Sequence, residues 1–177
     1  MNIKKTKFKN LLITNSIVHK DRRGTFREVF KNNLFKKIKF VFNCTSSSKK
    51  NVFRGLHLQT KYPQGKYVTV LKGEIYDVAL DLRKKSKTFG KVFAINLSDK
   101  NGNSIYIPEG FAHGFIGLKK ENIISYNCTQ YRSKNNEIGI LWNDKDVNIK
   151  WPIKKPILSR KDLNNNLSLK NYIKKYG

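Results

Sequence analysis

The chain has 177 residues, enough for one well-buried core and short for two, so a single domain spanning 1–177 is expected. Its hydrophobic content of 38% and aromatic content of 12% exclude a disordered protein. The net charge of +25 would suit a polyanionic partner, but the lysines are scattered from Lys4 to Lys175 and rarely exceed pairs. Because no nucleic-acid recognition motif accompanies them, we expect a generally basic surface and no nucleic-acid partner.

Neither a membrane-spanning segment nor a disulfide framework is predicted. No apolar run approaches the roughly 18 residues of a membrane span, and no apolar signal segment follows the basic N-terminus. Cys44 and Cys128 are too few, and too far from any CxxC pattern, for a disulfide-stapled fold. These features favour a reducing, cytoplasmic location.

Short runs rich in Val, Ile, Tyr and Phe fill the middle of the chain and predict an all-β sandwich or barrel. A short helix is predicted at 33–38, followed by strands at 51–59, 66–72, 74–82, 89–97, 103–107, 112–118 and 121–129. Gly73 predicts a tight turn between two of these strands. Further on, residues 143–163 suggest an irregular arm, and residues 167–176 have the apolar spacing of a helix.

Two of the three histidines and one lysine lie on or beside predicted strands. His57 ends the stretch Arg54-Gly55-Leu56-His57, Lys66 follows Gln64-Gly65, and His113 ends Pro108-Glu109-Gly110-Phe111-Ala112-His113. A β-barrel that points both histidines into one cavity would supply a proton carrier near neutral pH and a fixed positive charge. Such a cavity is equipped to remove a proton next to a carbonyl group.

Nine motifs occur in order between Asp21 and Leu167, including the two that end in His57 and His113. They cover residues 21–28, 49–57, 64–66, 73–79, 86–90, 107–115, 141–144, 149–152 and 158–162. With this series the chain resembles the dTDP-4-dehydrorhamnose 3,5-epimerases. The resemblance implies an all-β, cupin-type jelly-roll barrel with short peripheral helices, forming a homodimer. It also implies a cofactor-independent isomerase of deoxysugar biosynthesis that epimerises a nucleotide-linked 4-keto-6-deoxy hexose.

The resemblance assigns catalytic roles to several residues. His57 matches the general base, Asp162 matches the aspartate that orients it, and Lys66 matches the lysine that stabilises the enolate. Taken without the motif, Asp162 could equally cap a helix or form a loop salt bridge. His113 is either a contact in the catalytic pocket or a buried structural histidine, and both interpretations stay open.

Four further residues match positions that bind the nucleotide sugar. Arg23 and Arg54 match arginines that hold the diphosphate, for which a planar, bidentate donor is well suited. Phe26 and Glu28 match residues that contact the nucleotide. In the family, the segment that carries Arg23, Phe26 and Glu28 reaches across the dimer to the partner's site.

No metal is expected in the pocket. Metal-binding cupins carry two histidines one residue apart and a glutamate further on, whereas this chain has His57-Leu58-Gln59 and then Lys66. Replacing a carboxylate by an ammonium group removes a ligand and repels a cation.

The sequence departs from the family at the acid and in part of the sugar pocket. Arg132 occupies the position of the tyrosine that donates the second proton, where we expect it to contact the substrate, and Tyr131, one residue earlier, is the catalytic candidate. Arginine is a poor acid, and on a strand a one-residue offset would turn Tyr131 to the other face unless the strand bulges. Phe42 and Cys44 replace a glutamine and an asparagine. A single-carbon epimerase, a ketoisomerase and an inactive sugar-nucleotide-binding cupin therefore remain alternatives.

Overall fold

A computed structural model of the chain describes residues 1–164 and 166–177. The strands, in chain order, are β1 (Asn2–Lys5), β2 (Leu12–Asn15), β3 (His19–Asp21), β4 (Gly24–Phe26), β5 (Phe42–Lys49), β6 (Phe53–Gln59), β7 (Lys66–Lys72), β8 (Glu74–Asp81), β9 (Val92–Ser98), β10 (Asn103–Ile107), β11 (Phe111–Gly117), β12 (Glu121–Cys128), β13 (Glu137–Ile140) and β14 (Asn166–Leu167). The first sheet has the order β1-β2-β10-β7-β12-β5, and the second has the order β14-β13-β6-β11-β8-β9. Strands β3 and β4 form a separate two-stranded ribbon.

From β5 onward the chain passes from one sheet to the other at almost every connection, which is the pattern of a jelly roll. Gly73 shows how one crossing is made, because it links β7 in the first sheet to β8 in the second. The turn predicted there is therefore a crossover between sheets and not a hairpin. Gly73 has a φ of +85°, and a Cβ atom would lie 2.2 Å from the carbonyl oxygen of Glu121, so glycine is required.

The core lies between the two sheets because side chains alternate between the two faces along regular strand segments. In β7, Val68 and Val70 point into the sandwich, whereas Tyr67 points outward against an aromatic cluster around Phe35. The second sheet contributes Ile75, Ala79, Leu97, Phe111 and Phe115 to the same core. The all-β class and the jelly-roll fold predicted from the sequence are thus confirmed, in the form of two facing sheets.

The outer face of the second sheet is covered by the C-terminal part of the chain. The arm predicted at 143–163 is irregular only as far as residue 159, because its last residues belong to helix α1 (Arg160–Asn164). Helix α2 (Leu169–Tyr176) confirms the predicted C-terminal helix, and the hydroxyl of Ser168 caps it by accepting a hydrogen bond from the backbone of Asn171. The helix predicted at 33–38 is a 3₁₀ turn at Asn32–Phe35. None of the helices in the described ranges is long and apolar enough to cross a membrane.

Candidate active site

At one end of the sandwich the apolar core gives way to a cavity of about 740 Å³, lined by both sheets. The first sheet contributes side chains of β5, β7 and β12, and the second contributes side chains of β6, β11 and β13. The arm and α1 close one side with Ser159 and Asp162. This cavity contains His57, Lys66 and His113, so the structure brings the three predicted residues together.

A bulge in β6 brings Arg54 and His57 to the same side of the sheet. Residues three apart on a regular strand face opposite sides, but β6 carries one extra residue against β11 between these two positions. Gly55 makes this possible with a φ of +135°, and a Cβ atom there would lie 2.4 Å from the Cα of Gly114. Both Arg54 and His57 consequently line the cavity.

His57 and Asp162 form a short, directed pair. The Nε2 atom of His57 lies 2.6 Å from Oδ1 of Asp162, and the hydroxyl of Ser159 donates to Oδ2 at 2.7 Å. Burial alone would raise the pKa of Asp162, but the hydrogen bonds from His57 and Ser159 lower it below its usual range. Ionised Asp162 accepts a hydrogen bond from the N–H group at Nε2 of His57. The lone pair of the imidazole is then on Nδ1, where it can act as a base.

His113 belongs to a second, deeper pair. Its Nε2 atom lies 2.7 Å from Oδ2 of Asp77, a residue with no exposed surface. The side chain of His113 is 5% exposed against 22% for His57. His113 thus lines the cavity and is also a buried, hydrogen-bonded histidine, whereas His57 is the more accessible of the two.

Lys66 begins β7 and points to the same side as Val68 and Val70, into the space between the sheets. It is partly exposed by surface area, yet its ammonium is packed closely enough for desolvation to lower its pKa below the ordinary value. The neighbouring groups that oppose this effect include Cys128 and Glu137. The ammonium group of Lys66 is therefore partly desolvated, and a negatively charged ligand in the cavity would offset the cost of this desolvation.

Arg132 is part of an ion-pair network at the cavity rim. Its Nε and Nη2 atoms each lie 3.2 Å from a different oxygen of Glu137, and Lys161 donates to the same carboxylate. Burial would raise the pKa of Glu137, but these hydrogen bonds bring it down to about 2. Glu137 in turn raises the pKa of Arg132, which therefore keeps its proton.

Tyr131 and Arg132 lie beyond the end of β12, so the strand-alternation argument made from the sequence does not apply to them. Arg132 lines the cavity, whereas Tyr131 is 64% exposed and stacks on Phe42 with ring centroids 5.7 Å apart. No bulge in β12 is needed to describe this arrangement. Tyr131 stands at the mouth and is absent from the lining.

The four predicted nucleotide-sugar contacts fall into two groups. Arg54 lines the cavity and donates to Ser48 and to the backbone of Ser47. Arg23, Phe26 and Glu28 are on or just after the β3–β4 ribbon and do not line the cavity of their own chain. Arg23 pairs with its neighbour Asp21, and Phe26 is 70% exposed.

Metal ligation has little support in the donor set of this site. Within residues 1–164 and 166–177, no three His, Cys, Asp or Glu side chains are grouped so that they could hold a metal ion. His57 and His113 each bind a carboxylate through Nε2, and the nearby Lys66 would repel a cation.

Sequence reasoning missed Asp77, Glu137 and Ser159, which support the predicted residues. Asp77 interrupts the apolar run Ile75–Leu82, and a carboxylate inside a buried strand requires a partner, so its position was a usable signal. Ser159 precedes Asp162 by three residues, which is the spacing of a helix cap. Glu137 lies outside any predicted element and offered no comparable signal.

Comparison with known proteins identifies the family. A sequence model described as dTDP-4-dehydrorhamnose 3,5-epimerase matches residues 5–170. The dTDP-4-dehydrorhamnose 3,5-epimerase of Shigella flexneri is 46% identical in an alignment of 170 residues that covers 93% of this chain and 94% of that protein.

Solved structures lead to the same family. A dTDP-4-dehydrorhamnose 3,5-epimerase from Elizabethkingia anophelis superposes with a TM-score of 0.88 at 39% identity, covering 97% of both chains. A dTDP-6-deoxy-D-glucose-3,5-epimerase from Legionella pneumophila, in complex with dTDP-4-keto-L-rhamnose, gives a TM-score of 0.88 at 38% identity and covers 94% of this chain and 92% of its own. By sequence and by structure, this chain belongs to the dTDP-4-dehydrorhamnose 3,5-epimerase family.

Proposed function

We propose that the protein epimerises a nucleotide-linked 4-keto-6-deoxy hexose by removing a proton from a carbon next to the keto group. The observation that carries the proposal is the pair of His57 and Asp162, 2.6 Å apart, in one cavity with Lys66. A base on one side and a cation on the other are the two groups that enolate formation requires.

In the first step, Nδ1 of His57 takes the proton and the electrons of the C–H bond move to the keto oxygen. The imidazolium that forms is stabilised by ionised Asp162, which Ser159 holds in place. The ammonium of Lys66 faces the enolate oxygen and balances its charge. Because Lys66 is already desolvated, its attraction to the new negative charge is stronger than in water.

In the second step, a proton returns to the same carbon from the opposite face and the keto group re-forms. Arg132 is an unsuitable donor because its guanidinium is held protonated by Glu137. The ion pair of Arg132 with Glu137 therefore favours a second candidate function, that of a single-carbon epimerase, in which only one carbon is inverted efficiently. Both candidates share the first step.

Substrate binding is proposed to involve two chains. Arg54 is placed at the cavity to bind the diphosphate, and the exposed ribbon that carries Arg23 and Phe26 would reach the equivalent cavity of a second copy. Phe26 then packs against the nucleotide base instead of remaining in water. We accordingly propose a homodimer, in which each site uses the ribbon of the other chain.

Residues 1–177 are proposed to form a single domain, and the two free cysteines support a reducing, cytoplasmic location. The overall positive charge would help to attract an anionic sugar nucleotide. Neither a metal nor a cofactor is part of the proposed reaction.

The test of the proposed function is incubation with dTDP-, GDP- and UDP-linked 4-keto-6-deoxy hexoses in deuterated water. Proton NMR should show loss of the signal from a carbon next to the keto group, together with products of inverted configuration. Deuterium at a single carbon would select the single-carbon epimerase. Movement of the keto group would indicate a ketoisomerase, and tight binding without any exchange would indicate a binding protein.

A further inference from the structure

Inversion of a carbon needs a proton donor on the side of the cavity opposite the base. His57 and Asp162 stand on the side formed by β6 and α1. The facing side belongs to the first sheet and presents the inward side chains of β5, β7 and β12. A donor for the second proton is therefore to be sought on these three strands.

Besides the weakly acidic hydroxyls of Thr45 and Ser46, four groups in that part of the lining carry a proton: Cys44, Lys66, Tyr126 and Cys128. Burial raises the pKa of Tyr126 well above its ordinary value, and its hydroxyl is engaged with Ser46 at 2.9 Å. Burial also raises the pKa of the Cys128 thiol to about 12, and this side chain is only 2% exposed. Lys66 is required at the enolate oxygen.

Cys44 lines the same cavity, and it differs from Cys128 in being exposed, although the two thiols contact each other. It lies opposite Tyr126 in the register of β5 and β12, so its side chain shares the inward face of the first sheet. It is the exposed cysteine of the pair, and it lies on the edge strand β5. A thiol is a stronger acid than a phenol or an aliphatic hydroxyl, which suits a general acid.

We propose that the thiol of Cys44 is the catalytic acid that donates the second proton to the enolate carbon. This inference rests on the proposed function. The S–H bond breaks, a C–H bond forms on the face opposite His57, and the keto group re-forms as the enolate electrons return. The thiolate then takes a proton from water, and the imidazolium of His57 releases one to water, so no net proton is gained or lost.

The test compares Cys44→Ala and Cys44→Ser with wild type, measuring exchange and inversion in the same deuterated sample. Both variants should keep His57-dependent exchange with retained configuration, because His57 can return the deuteron it carries. Inversion should fall about 100-fold or more, since neither alanine nor a serine hydroxyl can act as the acid. The matched control is Ser47→Ala, which changes an exposed side chain on the outward face of β5 and should leave the ratio of inversion to exchange close to that of wild type.

A second readout is independent of turnover. Iodoacetamide should alkylate Cys44 before Cys128, and saturating dTDP-linked 4-keto sugar should protect Cys44, as judged by the mass of its peptide. Inversion by Cys44→Ala at the wild-type rate would overturn the inference. If Tyr126→Phe alone abolishes inversion, Tyr126 is the donor and the inference is equally wrong. Absence of exchange in wild type with every sugar nucleotide would instead refute the proposed function itself.

Discussion

His57 and His113 are direct partners in the register of β6 and β11, yet each imidazole binds a different aspartate. Asp162, which binds His57, comes from a helix at the cavity edge, whereas Asp77, which binds His113, is fully buried in β8. The same residue type is thus placed in two environments. His57 stays accessible from the cavity, whereas His113 is held in a buried hydrogen bond.

The first prediction concerns the orientation of the base. Asp162→Asn would put an amide against Nε2 of His57 and favour the wrong tautomer, so exchange should fall by at least about 100-fold. Ser159→Ala removes only the hydroxyl that holds the carboxylate, and it should cost less than Asp162→Asn. Initial rates of deuterium exchange measure both. Equal losses in the two variants would show that Asp162 acts through the helix cap and not through the imidazole.

The second prediction uses the lowered pKa of Lys66. Protonated Lys66 is the useful form, so kcat/KM should decline as pH rises through a pKa below the ordinary 10.5. Lys66→Arg keeps the positive charge at every accessible pH, and its residual activity should lack this alkaline decline. Lys66→Met should lose about 100- to 1000-fold in kcat. An identical alkaline decline in wild type and Lys66→Arg would assign it to another group.

The third prediction links Glu137 to acid stability. Its folded pKa of about 2 lies below the ordinary 4.5, so its contribution to the free energy of unfolding is complete above pH 4.5 and is lost as pH falls towards 2. Glu137→Gln should cost about 2 kcal/mol at pH 7 and should flatten the decline in Tm between pH 5 and 3. Glu121→Gln is the control, since its pair with Lys72 is solvent-exposed. Equal acid sensitivity of wild type and Glu137→Gln would contradict the assignment.

The fourth prediction concerns the dimer. Light scattering at micromolar concentration should give twice the chain mass of 20.6 kDa. Neither His57→Ala nor Arg23→Ala should be active alone, but mixing them with subunit exchange should restore about a quarter of wild-type activity, because each mixed dimer holds one intact site. A monomeric mass would exclude the dimer. A dimer without recovery on mixing would place Arg23 in the site of its own chain.

Much of the fold could be predicted from the sequence because the strands of its core carry alternating apolar residues. All seven predicted strands are present as β6 to β12. Strand β5 escaped prediction although it forms part of the site. Its inward positions are Phe42, Cys44, Ser46 and Ser48, which line or border the cavity and do not produce an apolar period.

Site residues could be predicted where they belong to a recognisable motif, but not where they only hold a motif residue in place. His57, Lys66 and Asp162 were predicted from motifs, and they line one cavity. Asp77 contacts His113 from a strand that is 36 residues away in sequence, and only the sheet order reveals this contact. Glu137 is close to Arg132 in sequence, but it lies on β13, which was not predicted as a strand. The positions of Tyr131 and Arg132 depended on where β12 ends, and the ends of strands are the least certain part of a prediction.

The central claim is that His57 removes a proton from a carbon next to a keto group. Its most direct test is the rate of deuterium incorporation into a dTDP-linked 4-keto-6-deoxy hexose by wild type and by His57→Ala, each shown to be folded by thermal melting. Wild type should catalyse exchange, His57→Ala should lose at least about 100-fold of this rate, and added imidazole should restore part of it. Exchange by His57→Ala at the wild-type rate would contradict it.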